Sequence, residues 1–196
     1  MPDLPDVKDE LHDKLKASRA GLLSRLDGLG EYDLRRPLTP TGTNLLGLVK
    51  HLAGLEYDYL GGVFGYPAAE SLSWVADGSI WDGADMWATA EESSEYILGL
   101  YQRGCAHADR VIAALGLDAP GLVPHWPAER RETTLGFMLI RMVAETAQHA
   151  GHADIVRELV DGTGGRDQAA LDQGEWQSYL ARVQAAADAF APPRAG

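Results

Sequence analysis

Glu145, His149 and His152 are the residues of this sequence whose types and spacing best suit chemistry. On a helix at about 100° per residue, His149, His152, Met138 and Val156 fall within about 40° of Glu145, with Met142 about 60° away. A carboxylate and two imidazoles therefore share the stripe that apolar side chains send toward a core. A lone buried carboxylate is costly unless it is paired, protonated or bound to a cation. Imidazole nitrogen and carboxylate oxygen at i and i+4 converge above one helix face, the arrangement that metal sites in helical bundles use. His51, between Leu48 and Leu55 on the edge of a second apolar stripe, offers a ligand from a facing helix. Two nitrogens and one oxygen suit zinc, nickel or iron and leave positions open for water or substrate, as in catalytic metal sites. The residues alone leave two ligand sets open: His51 with Glu145 and His149, or His51 with His149 and His152. A plain i,i+4 Glu145–His149 ion pair, or a buried histidine satisfied by a backbone carbonyl, competes with both.

Weaker candidates surround these. Glu56, about one turn beyond His51, could orient its ring; a solvated glutamate is the plainer reading. Asp154 and Arg157 could contact the metal ligands from behind or cap a helix; a surface ion pair is the plainer reading. His107 and His125 have no partner that spacing identifies. Cys105 reads as a small interior residue rather than a nucleophile.

The elements that must position these groups are helical. Apolar periodicity predicts helices over 7–29, 43–64, 89–115 and 133–160, and a short last helix over 174–190. Thr133 or Thr134 can cap the fourth, and Asp161-Gly162 stops it. Arg36-Pro37 to Gly42 and Pro124-His125-Trp126-Pro127 are breakers. The segment 66–85, rich in Gly, Ser, Asp and Trp, reads as a long loop. Trp74, Trp81 and Trp87 lie in or just beyond it, either walling a pocket or pinning the loop to the helices. No strand-like alternation of useful length occurs. The expected architecture is all-α: a four-helix bundle with a long crossover loop and a short C-terminal helix, forming a single domain over 1–196.

The bulk properties narrow the partners. The 196 residues carry a formal net charge of −12, which repels phosphate backbones and anionic lipid, so neither nucleic acid nor membrane is expected as a partner. The single cysteine excludes an intrachain disulfide and a cysteine-rich metal cage. The acidic, proline-bearing start, 1–10, lacks the features of a secretory signal, and the cytoplasm is the expected compartment. No nucleotide fingerprint, nucleophile elbow or phosphate loop is present.

The stretch from Thr39 to Glu56, TPTGTNLLGLVKHLAGLE, resembles the second-helix signature of the DUF664 branch of the DinB/YfiT-like superfamily. Glu145 to Asp154, ETAQHAGHAD, followed by Arg157-Glu158-Leu159, resembles that branch's fourth-helix signature. The His, Glu, His set is similar to that of mycothiol-dependent maleylpyruvate isomerases, where it binds zinc. Carried over by position, the resemblance implies His51, Glu145 and His149 as ligands, with His152 beside them. Arg141 stands where relatives often carry His.

The resemblance implies a divalent-metal-dependent S-transferase, with zinc as the first choice of metal. A low-molecular-weight thiol, mycothiol above all, would be the cosubstrate, a small electrophile the acceptor, and a homodimer the assembly. A thiol-dependent isomerase is the second reading, weakened because the extra C-terminal domain associated with those isomerases has no counterpart here. A non-catalytic, stress-associated metal binder is the third.

Overall fold

The computed structural model describes residues 6–164 and 172–192. It separates into two compact units, 1–162 and 163–196.

The first unit is built on four long helices, α1 (Val7–Ser24), α3 (Leu45–Tyr59), α5 (Ser94–Ala114) and α6 (Leu135–Asp161). Each starts on a side chain able to satisfy an orphan backbone donor. Asp6 accepts from the Lys8 N–H, Asn44 from Gly47, Ser93 from Tyr96 and Thr134 from Phe137. Gly162, in the left-handed region at φ 76°, stops α6 and donates its N–H to the Glu158 carbonyl. α1 packs against α6, and α3 against both α5 and α6. The all-α expectation holds. Its boundaries shift at the ends: α1 stops at Ser24, and the expected extension of α3 to residue 64 is a separate 3-10 turn, Gly62–Phe64.

Two elements escaped the periodicity because they are too short to show one. One is α2 (Glu31–Arg35); the other is a two-stranded antiparallel ladder, β1 (Pro120–Leu122) with β2 (Glu132–Thr134), Gly121 facing Thr133. The expected crossover loop contains one short helix, α4 (Ser73–Ala76), and two 3-10 turns, Ser79–Asp82 and Ala84–Met86.

The core falls into two apolar clusters, one including Leu22, Leu52, Leu100 and Val156, the other Leu15, Leu60, Met138 and Met142. A charged layer lies between them in the order of the chain: Arg19 between Leu15 and Leu22, Glu56 between Leu52 and Leu60. Arg19 reaches both Glu56 oxygens, Nε to Oε1 at 2.7 Å and Nη2 to Oε2 at 2.5 Å, and its Nη1 lies 2.6 Å from Asp109 Oδ1 on α5. Burial pushes the Glu56 carboxyl up, opposed by the Arg19 guanidinium.

The second unit contains α7 (Gln173–Asp188), opened by a capping box in which Asp172 and Glu175 exchange side chain-to-backbone hydrogen bonds. Among the described residues no helix is long and apolar enough to cross a membrane.

Candidate metal centre

Facing turns of α3 and α6 bring His51, Glu145 and His149 together. Glu145 Oε1 lies 3.6 Å from His51 Nε2 and 3.2 Å from His149 Nε2. The two imidazoles meet edge to face, their centroids 5.1 Å apart. One ligand atom from each of the three residues lies within 4.8 Å of the other two. The cluster is half-buried, with side-chain exposures of 18% for His51, 28% for Glu145 and 12% for His149.

Each ring is held from behind. His51 Nδ1–H donates to Asp85 Oδ2 at 2.6 Å, which fixes the tautomer and leaves the Nε2 lone pair facing Glu145. His149 presents Nε2 to Glu145, and its Nδ1 lies 3.3 Å from His152 Nδ1. His152 therefore stands behind His149, beside the cluster rather than in it. Burial and the neighbouring His51 hold the His149 imidazole below its ordinary value, against the pull of Glu145. At neutral pH it is thus the uncharged form that faces the cluster, with a lone pair to share. The donor chemistry and this convergence fit a divalent cation of the zinc type.

Asp85 is the partner of His51 that spacing missed. It ends the segment expected to be a long loop, and nothing in the linear sequence links it to His51, 34 positions earlier. Three contacts bring it there. Asn44 Nδ2 donates to the Met86 carbonyl at 3.1 Å. The buried Lys50 ammonium donates to the Trp87 carbonyl at 3.0 Å and to Glu92 at 2.8 Å, and lies 4.4 Å from the Trp74 ring centroid. Gly47 lets the loop lie directly on α3, since a Cβ there would come 1.8 Å from the Met86 carbonyl oxygen.

Glu56 does not orient His51. It is fully buried and pairs with Arg19 on the other side of α3. Asp154 pairs with Arg25 at 2.9 Å, and Arg157 donates to the Arg25 and Asp27 carbonyls at 2.9 and 2.8 Å, closing the C-terminal end of α1. Both are structural. His107 does have a partner, the Tyr66 carbonyl at 2.8 Å, and His125 stacks on Tyr59 with centroids 6.1 Å apart. Burial pushes the half-buried Cys105 thiol up to about 12, so it stays protonated, as expected of an interior residue. Of the three tryptophans, Trp74 is core, whereas Trp81 and Trp87 are largely exposed.

A helical bundle with histidine and carboxylate side chains facing across two of its helices defines a protein of the DinB/YfiT-like class. The family described as Mycothiol-S-transferase matches residues 10–162, and the chain belongs to that family. In three dimensions the chain is similar to a conserved protein from Enterococcus faecalis, at 13% sequence identity and a TM-score of 0.60. That match covers 82% of this chain and 100% of the other, and it shows the fold alone. No curated protein matches the chain in sequence.

Proposed function

We infer that the protein transfers mycothiol to a small electrophile, using a divalent cation, zinc for preference, held by His51, Glu145 and His149. The observation that carries this reading is the convergence of those three side chains within 4.8 Å in a chain of the Mycothiol-S-transferase family. A cation bound there would lower the pKa of a thiol and so supply a thiolate at neutral pH. In the net reaction the S–C bond forms, the leaving group departs with its bonding pair, and the thiol proton passes to solvent.

The chain's own residues do the positioning. Asp85 accepts the His51 Nδ1–H and keeps Nε2 directed inward. His149, neutral for the reasons given, presents Nε2 without competing charge. Glu145 offers carboxylate oxygens, which only accept hydrogen bonds when ionised and would then offset part of the positive charge brought into the site. The half-buried setting strengthens these interactions relative to open water.

The expected setting is the cytoplasm. A homodimer is supported by exposed Phe137, Ile140, Ile155 and Leu159, which lie within about 60° of one another's mean direction along α6.

The test is made on the full-length protein: bound metal is measured, then mycothiol is titrated with and without a chelator. About one metal per chain and thiol binding that the chelator abolishes are the expected results. Metal without thiol affinity would leave a metal binder and remove the transfer reading. If His51→Ala and His149→Ala both keep full metal content, the ligand set is wrong.

A further inference from the structure

A second group of side chains lies one helical turn from the cluster and takes no part in holding it. Arg141, four residues before Glu145 on α6, is displaced from it by about 6 Å along the helix axis and about 40° around it. Its guanidinium carbon is 5.0 Å from the Trp126 ring centroid and 5.3 Å from that of Tyr59. Tyr59 and Trp126 meet edge to face at 5.9 Å. Trp126, Pro127, Arg130 and Arg141 line a cavity of about 210 Å³. The connection between β1 and β2 supplies the first three of these residues, and the register of that ladder sets them against the start of α6.

The cavity is lined by two arginines and no carboxylate, in a chain that is acidic overall. The sequence has 29 acidic and 17 basic side chains, and Arg19, Arg25, Arg35, Arg36, Arg103 and Arg157 each pair with a carboxylate. Among the described residues Arg130 and Arg141, like Arg110, Arg131 and Arg182, make no ion pair, and these two line one cavity. The Arg141 guanidinium sits over the Tyr59 and Trp126 rings, contacts that use no N–H donor in a hydrogen bond and leave the donor fork available to a ligand. A planar fork of donors beside a second guanidinium suits a carboxylate, and the Trp126 indole offers a flat apolar wall to the group that carries it.

We propose that the Trp126–Arg130–Arg141 cavity is a binding site for a planar organic carboxylate. The anion lies on the two guanidiniums and the conjugated or aromatic body lies against Trp126. As a site for the acceptor, this rests on the transfer reading: it makes the substrate class carboxylate-bearing electrophiles, oriented with the reacting carbon toward the cluster one turn along α6. As an anion site it stands on the cavity alone.

The test separates the two. Calorimetry on the full chain, with and without chelator, compares 3-nitrobenzoate with 3-nitrobenzamide, which has the same ring without the charge, and with inorganic phosphate. The expected result is nitrobenzoate binding at least ten-fold tighter than nitrobenzamide or phosphate, unaffected by chelator. The preference should disappear in Arg130→Gln/Arg141→Gln. Arg141→Lys, which keeps the charge but not the fork or the stack, should lose most of it. Circular dichroism of each variant checks that the helices persist. Equal binding of acid and amide, no binding of either, phosphate binding as tight as nitrobenzoate, or benzoate binding that the chelator removes and the double variant retains would each overturn the proposal. If nitrobenzoate binds as expected but a chloronitrobenzoate is not turned over with mycothiol, the transfer reading fails and the anion site stands.

Discussion

The Asp85 carboxylate lies 2.6 Å from His51 Nδ1, on the side of the ring facing away from Glu145. Partners of this kind fix a ligand's tautomer and raise its basicity, and their loss typically weakens metal binding by about 10–100-fold. Asp85→Ala is expected to lower metal affinity by that amount, measured by competition with a chromophoric chelator. Asp85→Asn, which still accepts from Nδ1–H but without charge, should fall between. Unchanged affinity in Asp85→Ala would mean that packing alone holds the ring.

Gly47 permits the approach that places Asp85. A Cβ at this position would sit 1.8 Å from the Met86 carbonyl oxygen and 2.6 Å from its carbon, so backbone must move. Gly47→Ala is therefore expected to cost about 1–3 kcal/mol in urea unfolding, in the range of overpacked sites. It should also weaken metal binding by displacing Asp85. In the Asp85→Ala background the same substitution should cause no further loss of metal affinity, because the two act through one contact. Additive losses would show that Gly47 acts on the site by another route.

What was legible in the sequence follows from which contacts are local. Glu145 and His149 lie at i and i+4 on one long helix, and helical geometry alone puts them together. His51 could be placed on an inward edge, but that it faces Glu145 is a property of how α3 packs on α6. Glu56 shows how a near neighbour misleads. Five residues from His51, it lies about 140° away around the helix, and it turns to the buried Arg19 instead. Asp85 sits in a three-residue 3-10 turn and Trp126 in an irregular connection, and neither segment has a period to read. Their places depend on a carbonyl-to-glycine contact in one case and the register of a three-residue ladder in the other.

The buried Arg19–Glu56 pair makes a sharper statement about stability than about function. Removing one partner of such a pair leaves an uncompensated charge and typically costs about 3–5 kcal/mol, whereas replacing both by apolar residues is often neutral or stabilising. Arg19→Met is expected to destabilise strongly at neutral pH. Burial already raises the Glu56 carboxyl above its ordinary 4.5 with Arg19 in place; without it, Glu56 should be raised further. A raised acid is most compatible with the fold below its unfolded pKa, and that compatibility is lost as pH rises through the folded value. The Arg19→Met deficit should therefore shrink toward acid pH. Arg19→Met/Glu56→Leu should recover most of the lost stability at neutral pH and show little of this pH dependence. A double variant as unstable as the single would show that the pair is needed for more than charge compensation.

Asp109 provides the opposite sign on the same layer. Burial would raise its carboxyl, but hydrogen bonds from His12 and Arg19 outweigh that and hold it below the ordinary 3.8. A carboxyl depressed by folding contributes stability that is fully present above its unfolded value and is lost as pH falls through the folded one. The wild-type protein should therefore lose stability on acidification below about pH 4 in part through this residue, which ties α5 to α1. Asp109→Asn is expected to lower stability at neutral pH, because Arg19 and His12 lose a charged acceptor, and to flatten the acid limb of the stability profile. Denaturant unfolding at a series of pH values measures both effects. If the wild-type and Asp109→Asn curves run parallel from pH 7 down to pH 3, the acid sensitivity belongs to other carboxylates and the link between α1 and α5 does not depend on the charge of Asp109.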